Sequence, residues 1–280
     1  MLQSRLIERV LVDFGLTDLT SLKVTPAADI LAPHKSSAPF EEHFNYCSVL
    51  GKVMYLSSNT RCELFLANHQ CSGLSIDPCM PHGVAHKRFG RCLLGTRDKG
   101  MIIRPTKDLT LDCYVDADFA GLFTSSDPHD PKSVKSRSGF VITLGSIPVA
   151  WASKFKTETA LSTMETEYIS LSQALRRSAS PPHHPDKVSI SLSLKKDPHT
   201  AIKSTIFEDN QACLSLATSD PPKMTPRSKS RSEISLVLRT SRTWRYQRRS
   251  DRVRRATHRH FSKPLDPATF AYLREMLLGW

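Results

Sequence analysis

The sequence predicts an α/β chain: a mostly helical first part, then a mixed sheet with flanking helices, then a basic tract without regular structure near the C-terminus. Three observations carry this. Apolar residues recur at helical spacing before residue 105, the period drops to two at Leu109, and the charge gathers in one tract. At 280 residues and 39% hydrophobic content the chain can bury a real core, which excludes wholesale disorder. No run of about 18 apolar residues exists, which excludes a membrane span, and the first residues alternate apolar with charged unlike a secretory signal. A soluble intracellular protein with no membrane partner is expected, with cytoplasm and nucleus not distinguished.

The first helix is read from Leu2, Leu6, Ile7, Val10, Leu11 and Phe14, which share a 3.6-residue period that stops at Gly15. Thr25 to Pro39 is polar and punctuated by proline, as in a linker; 44–56 and 84–94 are compatible with helices, and Gly95 and Gly100 bracket a turn. Met101 to Ile103 read as core. From Leu109, Leu111, Cys113 and Val115 face one way while Asp112, Tyr114 and Asp116 face the other, a strand ending in acids. A Ser/Asp/Pro-rich loop over 124–135 leads to a hairpin, 139–144 and 147–153, around Gly145-Ser146. Trp151 is expected to pack the sheet against the next helix. That helix starts at Ser162 with Glu165 as capping-box partner, and Met164, Tyr168, Leu171 and Leu175 form its buried stripe. Glu167 sits on the edge of the stripe. A fourth strand at 202–207 runs through Glu208-Asp209-Asn210 into a short helix ending near Leu216.

Two stretches carry no assignable structure: 176–193, with Pro181-Pro182-His183-His184-Pro185, and the Ser/Arg-rich run 227–260. The latter holds twelve Lys and Arg against Glu233 and Asp251, so it supplies ten of the chain's twelve net positive charges. Its arginines, with Trp244 and Tyr246 among them, suit phosphate contact and base stacking; the competing reading is an unselected tail. Seven cysteines without a CxxC pair predict neither a zinc site nor a disulfide framework. The histidines, His183, His184, His258 and His260 included, read as surface residues rather than ligands.

Asp116, Glu167 and Asp209 stand at element ends in the order strand, helix, strand. Converging carboxylates are what octahedral Mg²⁺ requires, and paired ions can activate water against a phosphodiester. Acids at element ends also serve simply as caps. On the residues alone both readings stand.

The runs Tyr114-Val115-Asp116-Ala117-Asp118-Phe119-Ala120-Gly121, Lys132 to Phe140, Ala150-Trp151-Ala152-Ser153-Lys154, Leu161 to Leu171 and Glu208-Asp209-Asn210-Gln211-Ala212 resemble the ribonuclease H domain of copia-type LTR retrotransposon polyproteins. Phe261-Ser262-Lys263-Pro264-Leu265 is similar to that family's closing motif. Upstream, Ile7 to Gly15, Leu50 to Leu56, Asn59-Thr60-Arg61 and Leu93-Leu94-Gly95-Thr96 resemble its reverse transcriptase thumb and connection. The resemblance implies a thumb and connection remnant over 1–105, a ribonuclease H-like domain over 106–225, the basic tract over 226–260 and a closing motif with helix over 261–280. It implies Asp116, Glu167 and Asp209 as catalytic metal ligands for Mg²⁺, with Mn²⁺ as the alternative, and an RNA/DNA hybrid or other nucleic acid as partner. No small-molecule cofactor is implied. Asp118 and Glu165 are the weaker candidates; a helix turns Glu165 about 200° from Glu167, so the two cannot face one site. The family's polymerase Asp-Asp pair has no match here, so no DNA synthesis is expected.

The resemblance breaks at its fourth acid, where Arg259 stands. A cation there repels a second Mg²⁺. His258-Arg259-His260, encoded CAY-CGN-CAY, can read Ile-Asp-Ile one base later, which suggests a decayed or mispredicted frame returning to register near Phe261. Two functions remain: Mg²⁺-dependent hydrolysis of the RNA strand of RNA/DNA hybrids, in impaired form, or an inactive retroelement remnant that binds nucleic acid through its basic tract.

Overall fold

The computed structural model describes residues 1–16, 21–32, 37–41, 44–104, 106, 110–122, 135–156, 160, 162–178, 204–218, 244–248 and 259–280. The expected loop over 124–135 and the break after Arg176 fall largely outside the described residues, as do His183, His184 and His258. The described residues form two compact units, one built on Met1–Ile103 with Lys263–Trp280, the other on Arg104–Ala120 with Val134–Ser262. No described helix is long and apolar enough to cross a membrane.

The first unit is helical. It contains α1 (Ser4–Asp13), α2 (Tyr46–Asn59), a 3₁₀ turn (Cys62–Leu64), α3 (Phe65–Ser72) and α4 (Met80–Leu94). Ile7, Val10, Leu11 and Phe14 bury the predicted stripe of α1 against Val49, Leu50 and Val53 of α2 and Phe89 and Leu93 of α4. α3 was not foreseen, since Phe65–Ser72 mixes apolar and polar residues without a clear stripe: Ala67, Asn68, Gln70 and Cys71 are all buried. The proline-rich stretch is no free linker either. Phe40 N–H donates to Pro78 O at 3.0 Å and Met80 N–H to Ala38 O at 3.0 Å, so its end pairs with the start of α4.

The C-terminal helix (Pro267–Leu278) belongs to this first unit rather than standing alone. Asp266 caps it, accepting from Thr269 N–H at 3.0 Å. Ile102 N–H donates to Leu278 O at 2.9 Å, and Trp280 Nε1 donates to Gly100 O at 2.7 Å. Of the expected core triplet only Met101 is buried; Ile102 and Ile103 are exposed.

The second unit is α/β. β1 (Leu111–Asp118), β2 (Arg137–Leu144), β3 (Ile147–Phe155), β4 (Ser204–Glu208) and β5 (Trp244–Arg248) make one sheet in the order β3-β2-β1-β4-β5. β1, β2 and β3 are antiparallel neighbours, whereas β4 runs parallel to β1 and β5 parallel to β4. The β2–β3 turn has φ of 54° at Gly145 and 71° at Ser146, the doubly positive geometry of a tight hairpin. β5 corrects the expectation of a tract without structure over 226–260. Its Trp-Arg-Tyr run has high β-propensity, and β4 offers it an open edge.

α5 (Thr163–Ser178) and α6 (Gln211–Thr218) cover the sheet. Tyr168, Leu171, Ala174 and Leu175 of α5 meet Leu111, Cys113, Val115, Phe140, Ile142 and Ile206. Trp151 does not join this layer. Val141, opposite it across the ladder, and Trp151 alternate with Ile142 and Ala150, which face the helices, so the helix meets alanines instead.

Arg61 lies at the centre of the first unit, 1% exposed. Its guanidinium pairs with buried Glu63 and donates to Thr96 O at 3.2 Å and Thr96 Oγ1 at 2.7 Å. Removing one partner of such a pair strands the other's charge. Arg61→Met is therefore expected to destabilise the protein by about 3–5 kcal/mol in urea denaturation, and a loss below about 1 kcal/mol would show the pair to be dispensable.

Candidate metal centre

The parallel register pairs Tyr114 with Phe207, and continuing it by two residues sets Asp116 beside Asp209 at the carboxyl ends of β1 and β4. Open α/β sheets place sites at such ends. Asp116 is 2% exposed, and its backbone faces Gly139 of β2. Glu167 arrives on the first turns of α5, which are set by Ser162 Oγ accepting from Glu165 N–H at 3.1 Å. α5 is held on β2 by the buried bond from Ser170 Oγ to Ser138 Oγ, 2.8 Å. Asp209 follows β4, immediately before α6, whose start is capped by Asn210 Oδ1 accepting from Cys213 N–H at 3.0 Å.

One carboxylate oxygen from each of Asp116, Glu167 and Asp209 lies within 4.8 Å of the others. All three predicted site residues are thus brought together. Asp118 and Glu165 are not in the cluster: Asp118 pairs across the ladder with Arg137, and Glu165 projects from another side of α5.

Glu208, next to Asp209, is a buried acid near the cluster that the sequence did not single out. It is wholly buried, accepts from Asn210 N–H at 3.0 Å through Oε1, and leaves Oε2 without a hydrogen-bond partner among the described residues. Burial pushes its carboxyl up to about 8, with Asp209 and Asp116 adding repulsion. Burial likewise pushes Glu167 up to about 10, reinforced by Glu208, Asp116 and Asp209 and opposed by Lys156. Glu167 Oε2 is buried and unpartnered among the described residues. Burial lowers the Lys156 ammonium to about 7 while Glu167 holds it up; its Nζ donates to Thr166 O. The signal for Glu208 was its adjacency to Asp209, and for Lys156 its place just past the Ala150 to Lys154 motif.

Two contacts tie the C-terminal segment to the acids. Ser262 Oγ donates to Asp116 Oδ2 and is itself buried. Gly139 makes room for this approach: a Cβ there would lie 2.6 Å from the carbonyl carbon of Phe261. Arg259 Nη2 lies 3.5 Å from Asp209 Oδ2, so the cation that replaces the expected acid is paired to a cluster member. His260, read as a surface residue, is buried at 3% exposure; it packs edge-on against Phe261. His82 and His86 are buried as well.

A cluster of close, buried and partly unpartnered carboxylate oxygens fits a hard divalent cation. The site and fold define a mixed α/β protein with a carboxylate pocket able to hold a metal ion. No protein-family model matches the chain. It is 37% identical over 129 residues to the secreted RxLR effector protein 161 of Plasmopara viticola, a match covering 46% of this chain and 85% of that protein. It is 31% identical over 152 residues to the retrovirus-related Pol polyprotein from transposon RE2 of Arabidopsis thaliana, covering 54% of this chain and 10% of the polyprotein. With that from transposon TNT 1-94 of Nicotiana tabacum it shares 32% over 178 residues, covering 61% of this chain and 13% of the polyprotein. The chain belongs to the family of the Plasmopara protein, and its likeness to transposon Pol polyproteins marks it as retroelement-derived. It spans about a tenth of those polyproteins' length.

The raised Glu208 carboxyl gives a pH dependence. It ionises near 4.5 when unfolded and near 8 when folded, so its contribution is intact below pH 4.5 and is lost as pH rises toward 8. In EDTA, wild type should lose on the order of 1–3 kcal/mol more than Glu208→Gln between pH 5 and 8, read by urea denaturation; parallel profiles would refute it. Gly139→Ala should cost about 1–3 kcal/mol by forcing Phe261 and Ser262 away from the sheet, and an unchanged denaturation midpoint would contradict that contact.

Proposed function

We propose that the second unit is a ribonuclease H-like domain from a copia-type polyprotein, and that it hydrolyses the RNA strand of RNA/DNA hybrids with Mg²⁺ or Mn²⁺. The observation that carries the proposal is the meeting of Asp116, Glu167 and Asp209, from positions far apart in sequence, with oxygens inside 4.8 Å. The element order supports it: three antiparallel strands, a helix, a strand parallel to the first and another helix are what the resemblance implies. The Pol polyprotein relatives support the retroelement origin, and the first unit is then the thumb and connection remnant.

In this reading Asp116, Glu167 and Asp209 hold the cation. When bound, it supplies the positive charge that activates water and stabilises the leaving oxygen of a phosphodiester. Ser262 Oγ fixes the rotamer of Asp116 through its hydrogen bond. Glu167 brings a buried oxygen without a hydrogen-bond partner among the described residues, and Lys156 favours its ionised form. Glu208, held toward its protonated form by burial and by Asp209 and Asp116, would add negative charge only when that proton is displaced. The 2′-hydroxyl identifies the RNA strand, and the arginines of 227–260 contact phosphates.

The Arg259–Asp209 pair favours a second reading, an inactive remnant that binds nucleic acid. A hybrid-cleavage assay in Mg²⁺ and Mn²⁺ separates the two. Cleavage that falls at least about 100-fold in Asp116→Asn is the expected result, and Arg259→Asp should raise the wild-type rate. Salt-sensitive binding with no cleavage in either metal would establish the remnant instead.

A further inference from the structure

The first unit contains a cavity of about 290 Å³, near the lower end of the range for small-molecule sites of roughly 300 Å³ and above. It lies between the segment around residues 23–31 and helices α3 and α4, and none of the clustered carboxylates lines it. Its walls are mostly apolar, from residues such as Leu31, Ala67, Pro81 and Ala85. Its polar lining is nearly all donors: Lys23, Gln70, Arg88 and Arg91, with exposed Asp29 as the lining carboxylate.

Three of these side chains carry a buried nitrogen that the described residues leave unpartnered. Gln70 is 4% exposed, yet its Nε2 has no hydrogen-bond partner among the described residues. Arg88 Nε and Arg91 Nε are buried and equally unpartnered. Arg88 spends only its Nη2, which donates to Thr25 Oγ1 at 2.8 Å and fixes the loop that closes one side. A buried donor without an acceptor costs about 1–3 kcal/mol, so three around one cavity are expensive unless an acceptor enters it. Water can serve, but the apolar walls offer it few partners. Three cations facing one carboxylate also set the sign of the potential.

We infer that this cavity is a binding site for a small oxyanion carried on an apolar or aromatic body. The two guanidinium groups and the Gln70 amide would hold the oxyanion, phosphate or carboxylate, and the wall formed by the 26–31 segment and α4 would take the body.

The test is thermal-shift and calorimetric titration of the full chain with phenyl phosphate, benzoate and inorganic phosphate. Saturable binding of phenyl phosphate or benzoate, with a raised melting temperature, is the expected result, and whichever binds tighter tells a phosphate ligand from a carboxylate one. Arg91→Gln should weaken it about tenfold, and Ala85→Leu, which fills the cavity without touching a charge, should abolish it. Gln70→Leu keeps the volume and removes one donor, giving the same reading should Arg91→Gln not fold. The inference is overturned if neither aromatic oxyanion binds, if the variants bind as wild type does, or if inorganic phosphate binds as tightly as phenyl phosphate.

Discussion

Mutual repulsion among Asp116, Glu167, Glu208 and Asp209 governs the second unit. Two carboxylates separated by 4.8 Å repel by roughly 3–4 kcal/mol at an effective dielectric of 20, and burial adds to that cost. Several features offset that repulsion. The carboxyls of Glu167 and Glu208 are raised toward their protonated forms, Lys156 favours the ionised form of Glu167, Ser262 donates to Asp116, and Arg259 pairs with Asp209. A divalent cation would replace several of these compensations with one charge. The parallel alignment of β1 with β4 creates the crowding and is therefore the feature on which the site depends.

The compensating cations differ in consequence. Lys156 is buried, and its charge is already weakened by desolvation, so it balances Glu167 without competing strongly for the ligand oxygens. Arg259 is about half exposed, and an ion pair at 3.5 Å in that setting contributes at most about 1 kcal/mol. Such a pair opposes a second cation by charge but is too weak to lock Asp209 away.

The places of the three acids at element ends were legible from local patterns: Asp116 lies in a period-two run, Glu167 follows a capping serine, and Asp209 precedes a helix. Their choice as ligands over plain caps came from the family resemblance, because acids at element ends are common. Glu208 was missed because a buried acid next to an exposed-looking one has no periodic signature. Trp151 was misplaced because alternation fixes that two residues share a face without telling which face meets the helix. α3 was missed for want of a stripe, and β5 because the Arg-rich context hid a short aromatic strand whose partner lies in a distant segment.

The motifs that carry the family resemblance hold buried polar contacts as well as apolar core residues. Asn59-Thr60-Arg61 and Leu93-Leu94-Gly95-Thr96 meet where Arg61 donates to Thr96. Ser138 and Ser170 join the hairpin motif to the helix motif, and Ser262 joins the closing motif to Asp116. Apolar residues of similar volume replace one another at small cost, so a core retains little of a particular sequence. A buried donor needs its acceptor at a fixed distance and angle, and losing either partner leaves the other unsatisfied. Contacts of that kind tie particular residues to one another across the fold.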